Sequence, residues 1–158
     1  MPNSITSSPT AIIGLIAALV AAAALAQPQP TMPAFDFESG DLQGWTVIEC
    51  GFDQLICDRK VFHNTGQPCN KQGAYYLSTL ERADYTPTDA FTGVVQSPVF
   101  TITAPQVCFL VGGGKGPAVY VALCLADEET EVRAARGDDT ETMRRHLWDV
   151  REFLGQQV

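Results

Sequence analysis

The sequence predicts an all-β domain, a sandwich or barrel, behind a short apolar leader. Three observations carry this reading. Short apolar segments recur from Ala34 onward; Gly, Pro, Asn and Asp punctuate them; and a single stretch, Thr140 to Leu154, shows helical spacing. The chain has 158 residues, a length that suits one domain.

Ile12 to Ala26 is an uninterrupted apolar run closing on Ala24-Leu25-Ala26, with Gln27-Pro28-Gln29-Pro30 after it. An apolar core that ends at a small-x-small site reads as a secretory signal peptide over residues 1–27. The run is shorter than the roughly 20 residues a spanning helix needs. Met1 to Thr10 holds no Lys or Arg, a departure from the usual basic start. A retained N-terminal anchor is therefore the second reading, and secretion the first. Residues 28–33 form a Pro-rich spacer, and residues 34–158 form the domain.

Within the domain, Ala34-Phe35-Asp36-Phe37-Glu38 alternates with period 2 and is followed by the turn Ser39-Gly40-Asp41. Gly44 to Ile48, Tyr75 to Leu80, Gly93 to Ser97 and Val99 to Ile102 read as further extended runs. Val107 to Val111 and Val119 to Leu125 are continuous apolar runs, as expected of central strands covered on both faces. Between them Gly112 to Pro117 reads as a tight turn, where glycine tolerates positive φ. In Thr140 to Leu154 the residues Met143, Leu147, Val150 and Leu154 have a 3–4 spacing, which predicts a turn or short helix feeding a strand. Phe153 to Val158 reads as a turn leading into a strand.

The formal net charge is −8, and no charged residue lies in the first 27 positions. An acidic chain without a basic run disfavours nucleic acid and anionic lipid, since phosphate contacts need a basic face. Beyond the leader there is no membrane segment. All five cysteines (Cys50, Cys57, Cys69, Cys108, Cys124) follow the leader, so an exported chain meets an oxidising compartment. Cys57 and Cys69 flank a polar loop and are the favoured disulfide pair, with Cys50 the next candidate. Cys108 and Cys124 sit inside apolar runs and read as small buried hydrophobes. An odd count leaves one thiol over.

Motifs with a checkable mechanism fail their spacing tests. There is no Gly-x-Ser-x-Gly elbow, and Gly112-Gly113-Gly114-Lys115-Gly116 lacks phosphate-loop spacing. The two histidines, His63 and His146, stand outside any motif and read as surface or loop residues. Cys50, Cys57, His63 and Cys69 are separated by six, five and five residues, unlike the close ligand pairs of zinc sites. Arg136-Gly137-Asp138 reads as a turn. Asp36, Glu38 and Asp41 read first as solvated acids. A hard cation such as calcium, with Asp36 and Glu38 as ligands, is the other chemistry their oxygens suit. An aromatic and amide set of Trp45, His63, Asn64, Asn70, Tyr75 and Tyr76 supplies the ring faces and polar groups of a sugar site. Burial of Trp45 in the core competes with that role.

Phe35-Asp36-Phe37-Glu38-Ser39-Gly40-Asp41-Leu42-Gln43-Gly44-Trp45 resembles the opening of galactose-binding-like and carbohydrate-binding jelly-roll domains. Thr92-Gly93 with Ser97-Pro98-Val99-Phe100, Cys108 to Gly114, Ala135-Arg136-Gly137 and Leu147-Trp148-Asp149-Val150 follow in order. The series is similar to the accessory β-sandwich of secreted levanase and sucrose-hydrolase type glycosidases, over nearly all of Phe35 to Val158. The resemblance implies a non-catalytic module that binds carbohydrate beside a glycosidase domain. The Asn-Asp-Pro and Arg-Asp-Pro motifs of those enzymes are absent. The sequence also stops before the pattern's final Gly-Gly-Trp-Gly-His and Asp-rich strands. The resemblance therefore implies a jelly roll lacking its C-terminal strand, which in such domains pairs with the first strand and helps hold calcium. An edge left open in this way suits an adhesion module that takes a strand from another chain, and the early stop suits a fragment of a longer glycosidase gene. These two are the alternative readings.

Overall fold

The computed structural model describes residues 31–49, 51–59, 69–127 and 130–158; the leader and residues 28–30 of the spacer lie outside them. The described residues are strand-rich. In chain order the strands are β1 (Thr46–Glu49), β2 (Ile56–Cys57), β3 (Tyr76–Leu77), β4 (Val94–Gln96), β5 (Gln106–Gly113), β6 (Val121–Leu125), β7 (Thr130–Ala135) and β8 (Thr140–Asp149). One 3₁₀ turn, Arg151–Phe153, is the only helix among the described residues, and none there is long and apolar enough to cross a membrane. All pairings are antiparallel: β1 with β4, β2 with β3, β5 with β8, and β6 with β7. The all-β expectation holds.

The largest core forms where the two long ladders meet. Ile102, Leu123, Val150 and Val158 are buried together, flanked by Phe100, Val107, Leu125, Val132, Trp148 and Phe153. The C-terminal segment closes this core. Phe100 and Val158 exchange two backbone hydrogen bonds at 2.9 Å, Ile102 N–H donates to Gln156 C=O, and Gly155 N–H donates to Ile102 C=O. Gly155 makes the reversal at a φ of 83°, a conformation that glycine adopts without strain. On its other side the segment accepts a bond from Ala126 N–H through Gln157 C=O, at 3.0 Å.

Several local expectations are corrected. Thr140 to Asp149 is one ten-residue strand, and the short helix follows it rather than leading into it. The 3–4 spacing was coincidental: His146 and Trp148 turn inward with strand period, while Leu147 is 56% exposed. Ala34 to Glu38 is not a strand, because Phe37 takes a left-handed φ of 60° and starts a turn. Val107–Val111 lies within β5, and of Val119–Leu125 only Val121–Leu125 is strand; neither is covered on both faces. Each pairs along one side, Val121 is 40% exposed, and Cys108 and Cys124 are both exposed. Of Gly112 to Pro117 the first two residues end β5, and the loop from Gly114 runs to β6, which does not pair with β5. It is held instead by the β7–β8 turn: Asp139 N–H donates to Gly113 C=O, and Asp139 Oδ1 accepts from Lys115 N–H, both at 3.0 Å. Gly137 is obligatory there, since a Cβ would lie 2.1 Å from Gly113 O.

Ile102 has no exposed surface and joins the C-terminal segment to the ladders. Ile102→Ala is expected to cost about 2–5 kcal/mol. In urea denaturation this appears as a lower midpoint at unchanged slope.

Candidate functional site

Two loops meet at the N-terminal end of the described chain. The first, residues 36–45, is a double turn closed by Gly40 N–H to Phe37 C=O and Trp45 N–H to Leu42 C=O, both at 2.8 Å. Its polar side chains satisfy its own backbone. Asp36 Oδ1 accepts from Glu38 N–H and from Gln43 Nε2, while Gln43 Oε1 accepts from Phe37 N–H. Asp41 Oδ1 accepts from Gln43 N–H and Ser39 Oγ. Short polar side chains that bond nearby backbone favour turns over strands, which is why the alternating pattern at 34–38 does not become a strand.

The second loop runs from Cys69 to Tyr76 and is clamped to the first by Glu38. Glu38 Oε2 accepts from Ala74 N–H at 2.9 Å, and Oε1 accepts from Tyr75 N–H at 3.0 Å. Lys71 Nζ donates to the carbonyls of Gly73 and Ala74. Gly73 lies at a φ of 73°, and a Cβ there would fall 2.2 Å from Glu38 Oε1. Only glycine permits this approach. The clamp lays the Tyr75 ring on Gly40, within 3.4 Å of where a Cβ would stand. The two N–H donors hold the Glu38 carboxyl below its ordinary range. Asp36 is lowered by Gln43 and then by the Glu38 N–H, and Asp41 by the Gln43 N–H and then by Ser39.

The structure thus brings Asp36, Glu38, Tyr75 and Asn70 onto these two adjoining loops and sends Tyr76 elsewhere. Asn70 is exposed, at a φ of 56°. Trp45 packs, its ring meeting Phe35 edge-on at 5.4 Å and Phe37 at 5.8 Å. Its buried Nε1 has no hydrogen-bond acceptor among the described residues. His63 and Asn64 lie outside the described residues. For calcium the fit is poor. The Glu38 oxygens face N–H donors, and no three metal-ligating side chains converge among the described residues.

Tyr76 points inward, as strand alternation requires of a residue next to the outward Tyr75. It forms a second core with Cys57 and Cys69, against Leu80 and Met143. Its hydroxyl bonds Arg59 C=O at 3.0 Å and Glu81 Oε1 at 3.3 Å. Glu81 is 1% exposed and also accepts from Ser78 Oγ. The expected Cys57–Cys69 bridge is absent. Both are free, buried thiols, and Cys57 Sγ donates to Gln54 C=O. Burial and the neighbouring Glu81 push the Cys57 thiol up to about 12, so the thiolate that disulfide chemistry needs is suppressed. The same burial raises the Tyr76 hydroxyl above its ordinary value.

One aromatic group was not read from the sequence. His146, expected on a surface or loop, stands half-buried on β8, stacked on its cross-strand neighbour Phe109 at 5.6 Å. Trp148 meets Phe109 edge-on at 4.4 Å. The β5–β8 register brings these rings together, and no linear motif announces it.

No protein-family model matches the chain, and comparisons with curated proteins and with solved structures give no match.

Two measurements check this geometry. Because its carboxyl titrates below 4.5 in the folded state, Glu38 contributes fully above that value, and the contribution is lost as pH falls through the lower folded pKa. Amide exchange at Ala74 and Tyr75 should therefore lose protection on acidification in the native chain and stay pH-insensitive in Glu38→Gln. Alkylation at mildly alkaline pH should label exposed Cys108 readily and spare Cys57 until the chain unfolds.

Proposed function

We propose that this protein is a secreted, non-catalytic module that binds carbohydrate, a jelly-roll sandwich accessory to a glycosidase. The observation that carries the reading is the Glu38 clamp. It fixes Tyr75, with Asn70 and the Asp36 and Asp41 carboxylates, on two adjoining loops. Sugars are held by an aromatic face plus a few positioned polar groups, and loops on a rigid scaffold are where binding residues concentrate. Carboxylates and an amide suit hydroxyl donors, since each accepts hydrogen bonds. The ordered motif series from Phe35 to Val150 and the strand-rich chain support the same reading.

Chemistry by this chain alone is a poorer account. The buried carboxylate–hydroxyl contacts among the described residues, Glu81 with Ser78 and with Tyr76, are closed to solvent, at 1%, 8% and 6% exposure. Nothing there positions a base at an accessible nucleophile.

A glycan array and pull-down on insoluble polysaccharides test the proposal. The folded chain should retain on at least one polysaccharide, and Tyr75→Ala should weaken retention by about tenfold, ~1.4 kcal/mol, without loss of fold by circular dichroism. A folded native chain that binds no sugar in either assay would overturn the reading.

A further inference from the structure

β5 pairs with β8 along one side, and no other strand among the described residues pairs with it. Residues directly opposite in an antiparallel ladder alternate between pairs that exchange backbone bonds and pairs that do not. Val150 N–H donates to Pro105 C=O at 2.9 Å, which puts Val107, Phe109 and Val111 in the bonded phase, turned toward β8. Gln106, Cys108 and Leu110 therefore turn their N–H and C=O groups away from β8, where no backbone group among the described residues meets them. Gln106 and Cys108 are exposed, and Leu110 is half-buried. The outer edge of β8, by contrast, is held at both ends: Cys69 C=O accepts from Met143 N–H, and Asp149 C=O accepts from Arg133.

A strand edge is a template for another strand unless charge, proline, a bulge or a cover blunts it. On β5 the blunting devices stand at the two ends. Pro105 precedes the unpaired segment, and the register shifts after Val111, where Gly113 takes a φ of 103°. Between these limits Gln106 to Leu110 carries no charge, in a chain of net charge −8. A segment without acids lets two copies of an acidic chain approach without opposing like charges.

We propose that β5 pairs antiparallel with β5 of a second copy of this chain, across a two-fold axis at Cys108. The limits of the unpaired segment set the axis, because Gln106 to Leu110 overlaps itself in full about Cys108 alone. A four-stranded sheet results, in the order β8, β5, β5, β8. Cys108 exchanges backbone bonds with the partner's Cys108, and Gln106 exchanges them with the partner's Leu110. On one face Leu147, 56% exposed, and its neighbour Cys108 continue into the partner's Cys108 and Leu147 as one apolar row. On the other face Val107 comes opposite the partner's Phe109, an aliphatic–aromatic pair of the kind that stabilises sheets. Arg145 stands beside Leu110, and Asp149 beside Gln106. Each row flanking the axis therefore runs from Arg145 through Leu110 to the partner's Gln106 and Asp149, with a cation at one end and a carboxylate at the other. Two-fold symmetry repeats the arrangement, so each copy supplies both ends. The strip is short, which makes the dimer weak and reversible.

Sedimentation equilibrium of the full chain in reducing buffer, from micromolar to millimolar concentration, is the test. A monomer–dimer equilibrium is expected. Cys108→Lys and Cys108→Asp each set like charges face to face on the axis. Each should weaken the dimer by more than about tenfold, with far-UV circular dichroism unchanged. Mixed in equal amounts, the two variants place opposite charges on the axis and should associate again. Amide exchange gives a second readout: the Gln106, Cys108 and Leu110 amides should gain protection as concentration rises, while Val107 and Phe109 stay constant. A monomer at every concentration would overturn the proposal, as would a dimer that neither variant weakens or that leaves those three amides unprotected. A dimer weakened by both variants, which their mixture does not restore, would overturn the axis at Cys108.

Discussion

The hydrogen-bonded closure of residues 155–158 on residues 100–102 is the constraint on which the larger core depends. Without it Ile102 and Val158 would have no ladder to hold them against Val150 and Leu123. The closure is local in bonds and global in effect. One side of the segment satisfies Phe100 and Ile102, the other satisfies Ala126, and its last residue fills the apolar space between the two long ladders. Buried backbone groups need hydrogen-bond partners. A segment that supplies them on both sides while burying an apolar side chain is worth more than its few residues suggest.

The smaller core follows a different logic. β2 and β3 are two residues each, too short to stand on ladder bonds. What holds them is a mixed cluster of Tyr76, the Cys57 and Cys69 thiols, Glu81 and Ser78. Met143 N–H reaches Cys69 C=O at 2.8 Å and ties this unit to β8. The ordering of Tyr76 inward is what leaves Tyr75 outward on Gly40. The loop contact through Tyr75 and the inner cluster around Tyr76 are thus two faces of one short segment, and a change to either alters the other.

How far the sequence was legible follows from the range of each interaction. Alternating or continuous apolar runs located β1, β4, β5 and β6 closely, because strand-forming tendency is written over a few neighbouring residues. β7 was missed: in Thr130 to Ala135 Val132 is the one large apolar residue, so its alternation with Glu131 and Arg133 is a weak signal, and it pairs because the hairpin places it beside β6. The helical spacing in β8 misled for the same reason. A 3–4 pattern of four residues is weak beside seven cross-strand registrations with β5. In the loops over residues 36–45 and 69–76 the residue types were legible and their placement was not. Trp45 and Tyr76 stood in the candidate sugar-binding set, with core burial the competing reading for Trp45; Trp45 packs against Phe35 and Phe37, and Tyr76 enters the inner cluster.

The sequence by itself determined the all-β class and the acidic character, because both follow from composition and from spacing between near neighbours. Only the tertiary structure decided that Asp36 and Glu38 organise loops, that Cys57 and Cys69 stay as buried thiols, and that the C-terminal segment bonds Ala126 at the end of β6. Each of these depends on contacts between residues distant in the chain, such as Glu38 with Ala74 or Gln157 with Ala126. Local sequence sets which groups are present; chain topology sets which of them meet.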